Sequence, residues 1–333
     1  MIRTFSNDAN RFVLTGESLE HLDTAVWIDI LRPSRDEETA VERALGIDVP
    51  TLEEMSEIEV SSRLYAEDGA TFMTAMMLSH TDGDNVVLAP ITFILKGEQL
   101  ITARYTEPRS INAFIAKCQK NAAYTADAVV TGLLEGLIER IGDVLERTGH
   151  ELDGLSDNIF AIRGAEAEGA AASDAKPARR KPRNYQSVLE QIGRKGDLLS
   201  KVRESLISFQ RLLAFAAEIA ASRKPGKEYD GRIRTLSRDV QSLSDHTGFL
   251  TQKINFLLDA TLGMINIEQT GIIKIFSVAA VVFLPPTLIA SIYGMNFDVM
   301  PELAWPFGYP MAIGLMVLSA IVPYQFFKWR DWL

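Results

Sequence analysis

The sequence predicts an α+β membrane protein in which an N-terminal α/β domain is followed by a long helix and two C-terminal transmembrane helices. Three observations predict this class. Residues 1–170 hold 30 Asp and Glu against 14 Lys and Arg, whereas residues 171–333 hold 14 acids against 20 bases. Two 23-residue segments, 275–297 and 305–327, carry no charge. Between the acidic region and these segments, apolar residues recur at helical spacing.

The N-terminal α/β domain is assigned to residues 1–122. Segments 25–33, 70–80 and 85–105 are rich in β-branched and apolar residues, as is typical of strands. Within the last segment, "KGEQ" predicts a hairpin turn. Between the first two, Ser34 is expected to cap a helix that Gly46 and Pro50 end. The domain is therefore expected to contain a small sheet with at least one helix.

Composition excludes some functions. An acidic surface of this kind repels nucleic acid and attracts cations, so no nucleic-acid partner is expected. Cys118 is the only cysteine, which excludes an intramolecular disulfide and a cysteine-cluster metal site. The first residues are polar and lack the apolar core of a signal peptide, so export of this domain is not expected.

Residues 123–227 are predicted to form a helical hairpin, with one helix from about Thr125 to Phe160 and another from about Tyr185 to Ala221. The connecting segment 164–184 is low in complexity, and we expect it to be disordered. No proline follows the breaker "KPG" until Pro285. Residues 228–274 therefore predict a long stalk helix that continues into the first span without interruption.

Each uncharged segment is long enough to cross about 30 Å of hydrocarbon at ~1.5 Å per residue. Residues 298–304 form a short outer loop between the spans, and residues 328–333 form the tail. Lys274 precedes the first span, whereas Lys328 and Arg330 follow the second. We expect the protein to lie in the plasma (inner) membrane of the cell. The positive-inside rule then predicts that both termini lie in the cytoplasm.

One face of the long helix follows an alternating four-three spacing, which is a heptad pattern. We call this face the polar seam; its members are Asp259, Gly263, Asn266, Thr270, Ile273, Ser277, Ala280, Leu284, Thr287 and Ser291. The seam fits a water-filled path, but small and hydroxyl residues also let helices pack closely. Because the two spans of one chain cannot enclose a water-filled path, such a path requires several copies of the chain around an axis.

The residues at the end of the first span resemble a known family. "YGMNFDVMPEL" at 293–303, "IKIFSVAAVVFLPPT" at 273–287 and the closing "FFKWRDWL" are similar to the CorA family of divalent-cation channels. The resemblance implies a homopentamer with a cytoplasmic funnel domain and a pore lined by the first span. It also implies passive Mg²⁺ entry, often with Co²⁺ or Ni²⁺ accepted, and closure when cytoplasmic Mg²⁺ occupies sites between subunits.

The resemblance assigns the selectivity filter to Gly294, Met295 and Asn296. Mg²⁺ gives up its water reluctantly and prefers oxygen ligands, so a ring of Asn296 amide oxygens suits the hydrated ion. Asp298 and Glu302 would concentrate cations at the outer mouth. Below the filter, apolar rings at Ile273, Phe276 and Leu284 would close the path by dewetting, and Asp259 would form an acidic ring beneath them.

Four carboxylates are assigned to the regulatory Mg²⁺ site. "TLEEMSEIE" at 51–59 resembles the funnel segment of the family and offers Glu53 and Glu54. On the stalk helix, "LSRDVQSLSDHT" at 236–247 offers Asp239 and Asp245. We expect Glu54 of one subunit to meet Asp239 of another.

Other classes fit the sequence less well. Its four histidines stand far apart, and neither a Walker loop nor a metalloprotease motif is present, so no enzyme activity and no organic cofactor are expected. A zinc transporter of the related ZntB branch is the principal alternative, although that branch usually has isoleucine at the position of Met295. A membrane-anchored Mg²⁺ sensor without flux is the second alternative.

Overall fold

The computed structural model describes residues 1–8, 11–16, 22–57, 59, 62–83, 85–118, 123–160, 185–223, 227–295, 300–301 and 305–330. The chain divides into two compact units, Met1–Leu258 and Asp259–Leu333. The predicted disordered segment 164–184 lies outside the described residues.

The first unit contains a seven-stranded mixed sheet with the order β2-β1-β3-β7-β6-β5-β4. All neighbours are antiparallel except β3 and β7. The strands are β1 Ile2–Asp8, β2 Arg11–Gly16, β3 Trp27–Leu31, β4 Leu64–Glu67, β5 Ala70–Ser79, β6 Val87–Lys96 and β7 Gln99–Arg104. The predicted strands correspond to β3, β5, β6 and β7, and the "KGEQ" hairpin is confirmed by the antiparallel β6 and β7 pairing.

Seven α-helices accompany the sheet in the described residues, together with a 3₁₀ turn at Leu22–Thr24. The helices are α1 Arg35–Leu45, α2 Leu52–Ser56, α3 Arg109–Cys118, α4 Ala126–Phe160, α5 Tyr185–Arg223, α6 Lys227–Tyr293 and α7 Gly308–Trp329. The predicted cap of α1 is confirmed, because the Ser34 hydroxyl accepts from the Glu37 amide while the Glu37 carboxylate accepts from the Ser34 amide. The predicted uninterrupted long helix is confirmed as α6.

A buried ion network ties the middle strands of the sheet together. The Asp29 carboxylate on β3 accepts from Arg104 Nε and Nη2 at 2.9 Å each and from Arg3 Nη2 at 2.7 Å. The Thr102 hydroxyl donates to the same carboxylate at 2.9 Å. Burial alone would raise the pKa of Asp29, but the hydrogen bonds and charges of Arg104 and Arg3 hold it below its usual value. The Asp29 carboxylate is therefore ionised, and its hydrogen bonds to Arg3 and Arg104 link β3 to β1 and β7.

Helix α5 packs on β5 and completes its backbone hydrogen bonding. β5 extends beyond the short strand β4, and among the described residues no strand pairs with Met76 on that side. The Ser205 hydroxyl donates to Met76 O at 2.6 Å, and Met76 N donates to the Ser208 hydroxyl at 2.8 Å. Two serines on one helix face thus take the place of a strand.

Candidate functional site

Two helices are long and apolar enough to cross a membrane, by length and composition, among the described residues. They are the helix that ends at Tyr293 and the helix Gly308–Trp329. In the second unit these are the final part of α6 and the whole of α7. Trp305, Phe307 and Tyr309 lie at the start of α7 with exposed side chains.

The membrane part of α6 has two different faces. The half-buried residues recur every three or four positions and form the face toward α7; they are Val278, Ala279, Val281, Val282, Pro285, Pro286 and Ile289. The polar seam from Asn266 to Ser291 is exposed at every position, including Ile273 at 65% and Leu284 at 70%. Packing within one chain therefore does not cover the seam.

Two seam threonines hydrogen-bond to their own helix. The Thr270 hydroxyl donates to Asn266 O at 2.8 Å, and the Thr287 hydroxyl donates to Phe283 O at 2.7 Å. These are the backbone contacts that small polar residues make in many membrane helices. Because each hydroxyl has given its proton to a carbonyl, the oxygen offers its lone pairs to the exposed side. The threonines can therefore accept hydrogen bonds from a ligand or from its water shell.

The segment predicted to form the filter begins where α6 ends. Gly294 N donates to Ala290 O at 2.9 Å, and Met295 N donates to Ile292 O at 3.3 Å. The φ of Gly294 is not positive, so a left-handed backbone does not explain the glycine at this position. Glycine is favoured here by space instead, since a Cβ would lie 3.1 Å from Ala290 O. Asn296, Asp298 and Glu302 lie outside the described residues.

The four carboxylates assigned to regulation are all exposed. Glu53 and Glu54 lie in the first turn of α2, where the Glu54 carboxylate accepts from Thr51 N at 2.8 Å and from the Thr51 hydroxyl at 2.9 Å. Asp245 on α6 accepts from Gln241 Nε2 at 3.0 Å, and Asp239 lies on the same helix. No group of three or more His, Cys, Asp or Glu residues is arranged to hold a metal in the described part of one chain.

Sequence reasoning missed that Glu54 already serves a capping box. The signal was present, since Thr51 is followed three residues later by Glu54, which is the capping-box spacing. A carboxylate in this position can still bind a cation with its remaining lone pairs. Any Mg²⁺ site that uses Glu54 would therefore share this side chain with the N-terminus of α2.

Comparisons with known proteins agree on one family. The model for the CorA family, described as "CorA-like Mg2+ transporter protein", matches residues 23–328. The chain is 35% identical to the magnesium transport proteins CorA of Pasteurella multocida and of Escherichia coli K12, with the whole of each chain covered.

Solved structures share the fold. The complete structure of the CorA magnesium transporter from Methanocaldococcus jannaschii is 20% identical, with a TM-score of 0.71 over 100% of this chain and 99% of that chain. The cytoplasmic domain of ZntB from Vibrio parahaemolyticus is 13% identical, with a TM-score of 0.54 over 79% of this chain and 97% of that one. Together with the family model and the relatives that cover the full chain, this likeness identifies the protein as a member of the CorA family.

Proposed function

We propose that this protein carries Mg²⁺ across the membrane through a pore that several copies of α6 line, five in the homopentamer that the family resemblance implies. The observation that carries the proposal is the exposure of the entire seam from Asn266 to Ser291 in the single chain. An uncovered helix face that carries Asn, Thr and Ser side chains within an apolar span is costly in lipid, but its polar groups are satisfied around a water-filled axis.

The chemistry of the seam fits a hydrated cation. Waters bound to Mg²⁺ point their protons outward, so the pore wall must offer acceptors. The back-bonded hydroxyls of Thr270 and Thr287 do this, as do the Asn266 amide oxygen and, at the filter, the Asn296 amide oxygen. Neutral acceptors hold the water shell without trapping the ion, whereas a ring of carboxylates at the filter would bind it too tightly for conduction.

Charged and apolar rings complete the proposed path. Asp298 and Glu302 attract cations to the outer mouth, and Asp259 forms an acidic ring at the inner end. The exposed side chains of Ile273, Phe276 and Leu284 form the gate, since apolar rings of this size exclude water when they close. Co²⁺ and Ni²⁺ pass by the same route.

The proposed placement in the membrane follows the charges. Both termini lie in the cytoplasm, the spans are 275–297 and 305–327, and the loop 298–304 faces outward. Residues 1–122 form the funnel domain, 123–227 the helical hairpin, 228–274 the stalk and 328–333 the tail. With the outer acids at the entry side, an inside-negative potential drives cations through the pore without another gradient.

Passive flux is tested by uptake of Mg²⁺ and of Zn²⁺ into sealed liposomes that contain the protein, with an inside-negative potential and no proton gradient. Mg²⁺ uptake that stops when the potential is removed is the expected result. Uptake of Zn²⁺ alone would replace the proposal by a ZntB-like transporter. Absence of flux for both ions would favour a sensor.

Regulation is proposed to depend on Mg²⁺ held between Glu54 of one subunit and Asp239 of a neighbour, with Glu53 and Asp245 nearby. Glu54→Gln separates this role from capping, because glutamine also completes a capping box but lacks the charge that holds Mg²⁺. We expect the variant to keep its thermal stability and to need about tenfold more internal Mg²⁺ to close, as the loss of one carboxylate ligand implies.

Glu53→Gln tests the neighbouring candidate carboxylate without touching the capping box, and Glu67→Gln, which removes an exposed charge assigned to no site, is the matched control. Uptake is measured in liposomes loaded with increasing Mg²⁺. Identical closing concentrations for the wild type and Glu54→Gln would remove Glu54 from the regulatory site. A larger shift in Glu53→Gln than in Glu54→Gln would transfer the role to Glu53.

A further inference from the structure

A groove lies between α6 and α7 at the end of the spans that carries the basic residues. Its volume is about 490 Å³, which lies within the range of ligand pockets of roughly 300–1,000 Å³. The lining residues are Lys274, Ser277, Val278, Val281, Val282, Tyr324 and Phe327. Ser277 also belongs to the polar seam, so the groove adjoins that face of α6. The lining is thus apolar apart from one ammonium, one phenol and one hydroxyl.

The charges around the groove are of one sign. Lys274 is the only charged residue from 269 to 297, and Lys328 and Arg330 are the only ones from 305 to 330. No ion pair of Lys274 is present among the described residues, and its side chain is exposed. A second cavity of about 470 Å³ shares Val278, Val282 and Tyr324 but has no charged residue in its lining. Lys274 therefore distinguishes this groove from a merely apolar gap.

We propose that the groove binds an anionic phospholipid of the leaflet at this end of the spans. The phosphate accepts from the Lys274 ammonium and the Tyr324 hydroxyl, and one acyl chain lies along Val278, Val281 and Phe327. Basic pockets between membrane helices on the cytoplasmic side are suited to anionic headgroups. A lysine at this depth extends its ammonium toward the interface, where the phosphates lie.

A second copy of the chain fits the groove less well than a lipid does. Close contacts between membrane helices favour small residues on the facing surfaces, whereas valine and phenylalanine line this groove. A neighbouring span would also bury Lys274 without a counter-ion, because neither uncharged segment contains an acid. A phosphate supplies the missing negative charge. This inference requires insertion into a membrane but does not depend on ion transport.

The test is native mass spectrometry of the full chain in detergent, titrated with phosphatidylglycerol or with phosphatidylcholine of the same acyl chains. The wild type is expected to prefer phosphatidylglycerol. Lys274→Gln is expected to weaken phosphatidylglycerol binding about fivefold, as the loss of one lysine near a charged headgroup implies, and to leave phosphatidylcholine binding unchanged. The same spectra report the assembly, so a variant that fails to assemble is recognised.

The matched control is Lys328→Gln, which removes the same charge at the same membrane end but does not line the groove. We expect its phosphatidylglycerol binding to stay within twofold of the wild type. Val282→Trp fills the groove and is expected to abolish the preference. If Lys274→Gln and Lys328→Gln weaken phosphatidylglycerol binding equally, general surface charge explains the effect and the proposal is overturned. Equal binding of the two lipids by the wild type would also overturn it.

Discussion

Replacing Asn296 with alanine is expected to reduce Mg²⁺ uptake into liposomes to the rate of protein-free vesicles, while the oligomer remains assembled. The proposed filter accepts hydrogen bonds from the water shell of Mg²⁺ through a ring of Asn296 amide oxygens. Alanine removes every member of this ring at once in a symmetric assembly, so the ion must shed or distort its shell without compensation. Initial uptake rates under an inside-negative potential measure the effect.

The control for this experiment is Asn112→Ala, since Asn112 lies on α3, far along the chain from the filter, and its side chain donates to Glu107 at 3.2 Å. Its uptake is expected to equal that of the wild type. Asn296→Asp gives a second comparison, because a ring of carboxylates should bind Mg²⁺ more tightly and release it more slowly. Uptake at the wild-type rate in Asn296→Ala would remove the filter assignment, whatever the behaviour of the aspartate variant.

Asp29→Asn is expected to destabilise the first unit by about 3–5 kcal/mol, which is the usual cost of removing one partner of a buried ion pair. The Arg104 side chain is fully buried and donates twice to Asp29, so the substitution leaves its guanidinium without a counter-charge. Urea unfolding followed by circular dichroism measures the change. Asp48→Asn removes an exposed aspartate and should stay within about 0.5 kcal/mol of the wild type.

The same carboxylate gives a pH dependence of defined sign. Because the pKa of Asp29 is lower in the folded protein, its contribution to stability is complete above the pKa of the unfolded chain, about 3.9. The contribution is lost as the pH falls through the folded pKa. The stability difference between the wild type and Asp29→Asn should therefore shrink below about pH 4. A difference that stays constant down to pH 2 would contradict the ionised network.

Local sequence signals predicted several elements, and where they were strong the structure agrees. The Ser34 capping box, the β6 and β7 hairpin and the uninterrupted α6 each depend on neighbours within a few residues. The strands β1, β2 and β4 were not predicted. They are four to seven residues long and carry many polar groups, so their pairing partners rather than their own composition make them strands.

For the candidate site, the sequence identified the seam because a heptad spacing is visible without coordinates. It did not show which face of the span is covered. Only the structure shows that the half-buried face around Val278 and Val282 lies toward α7 and that the seam stays exposed. It also shows that space favours glycine at 294, since a Cβ there would lie 3.1 Å from Ala290 O.

The sequence by itself determined the two apolar spans, the long helix and the family, because hydrophobicity and motif spacing are properties of contiguous residues. Tertiary structure decided what depends on residues distant in the chain. It joined Asp29 to Arg104 across neighbouring strands, and it placed the Phe114 ring where a Cβ on Gly132 would overlap it. It also brought Lys274 and Tyr324 to one groove. Such contacts are fixed by packing between elements, which no local pattern encodes.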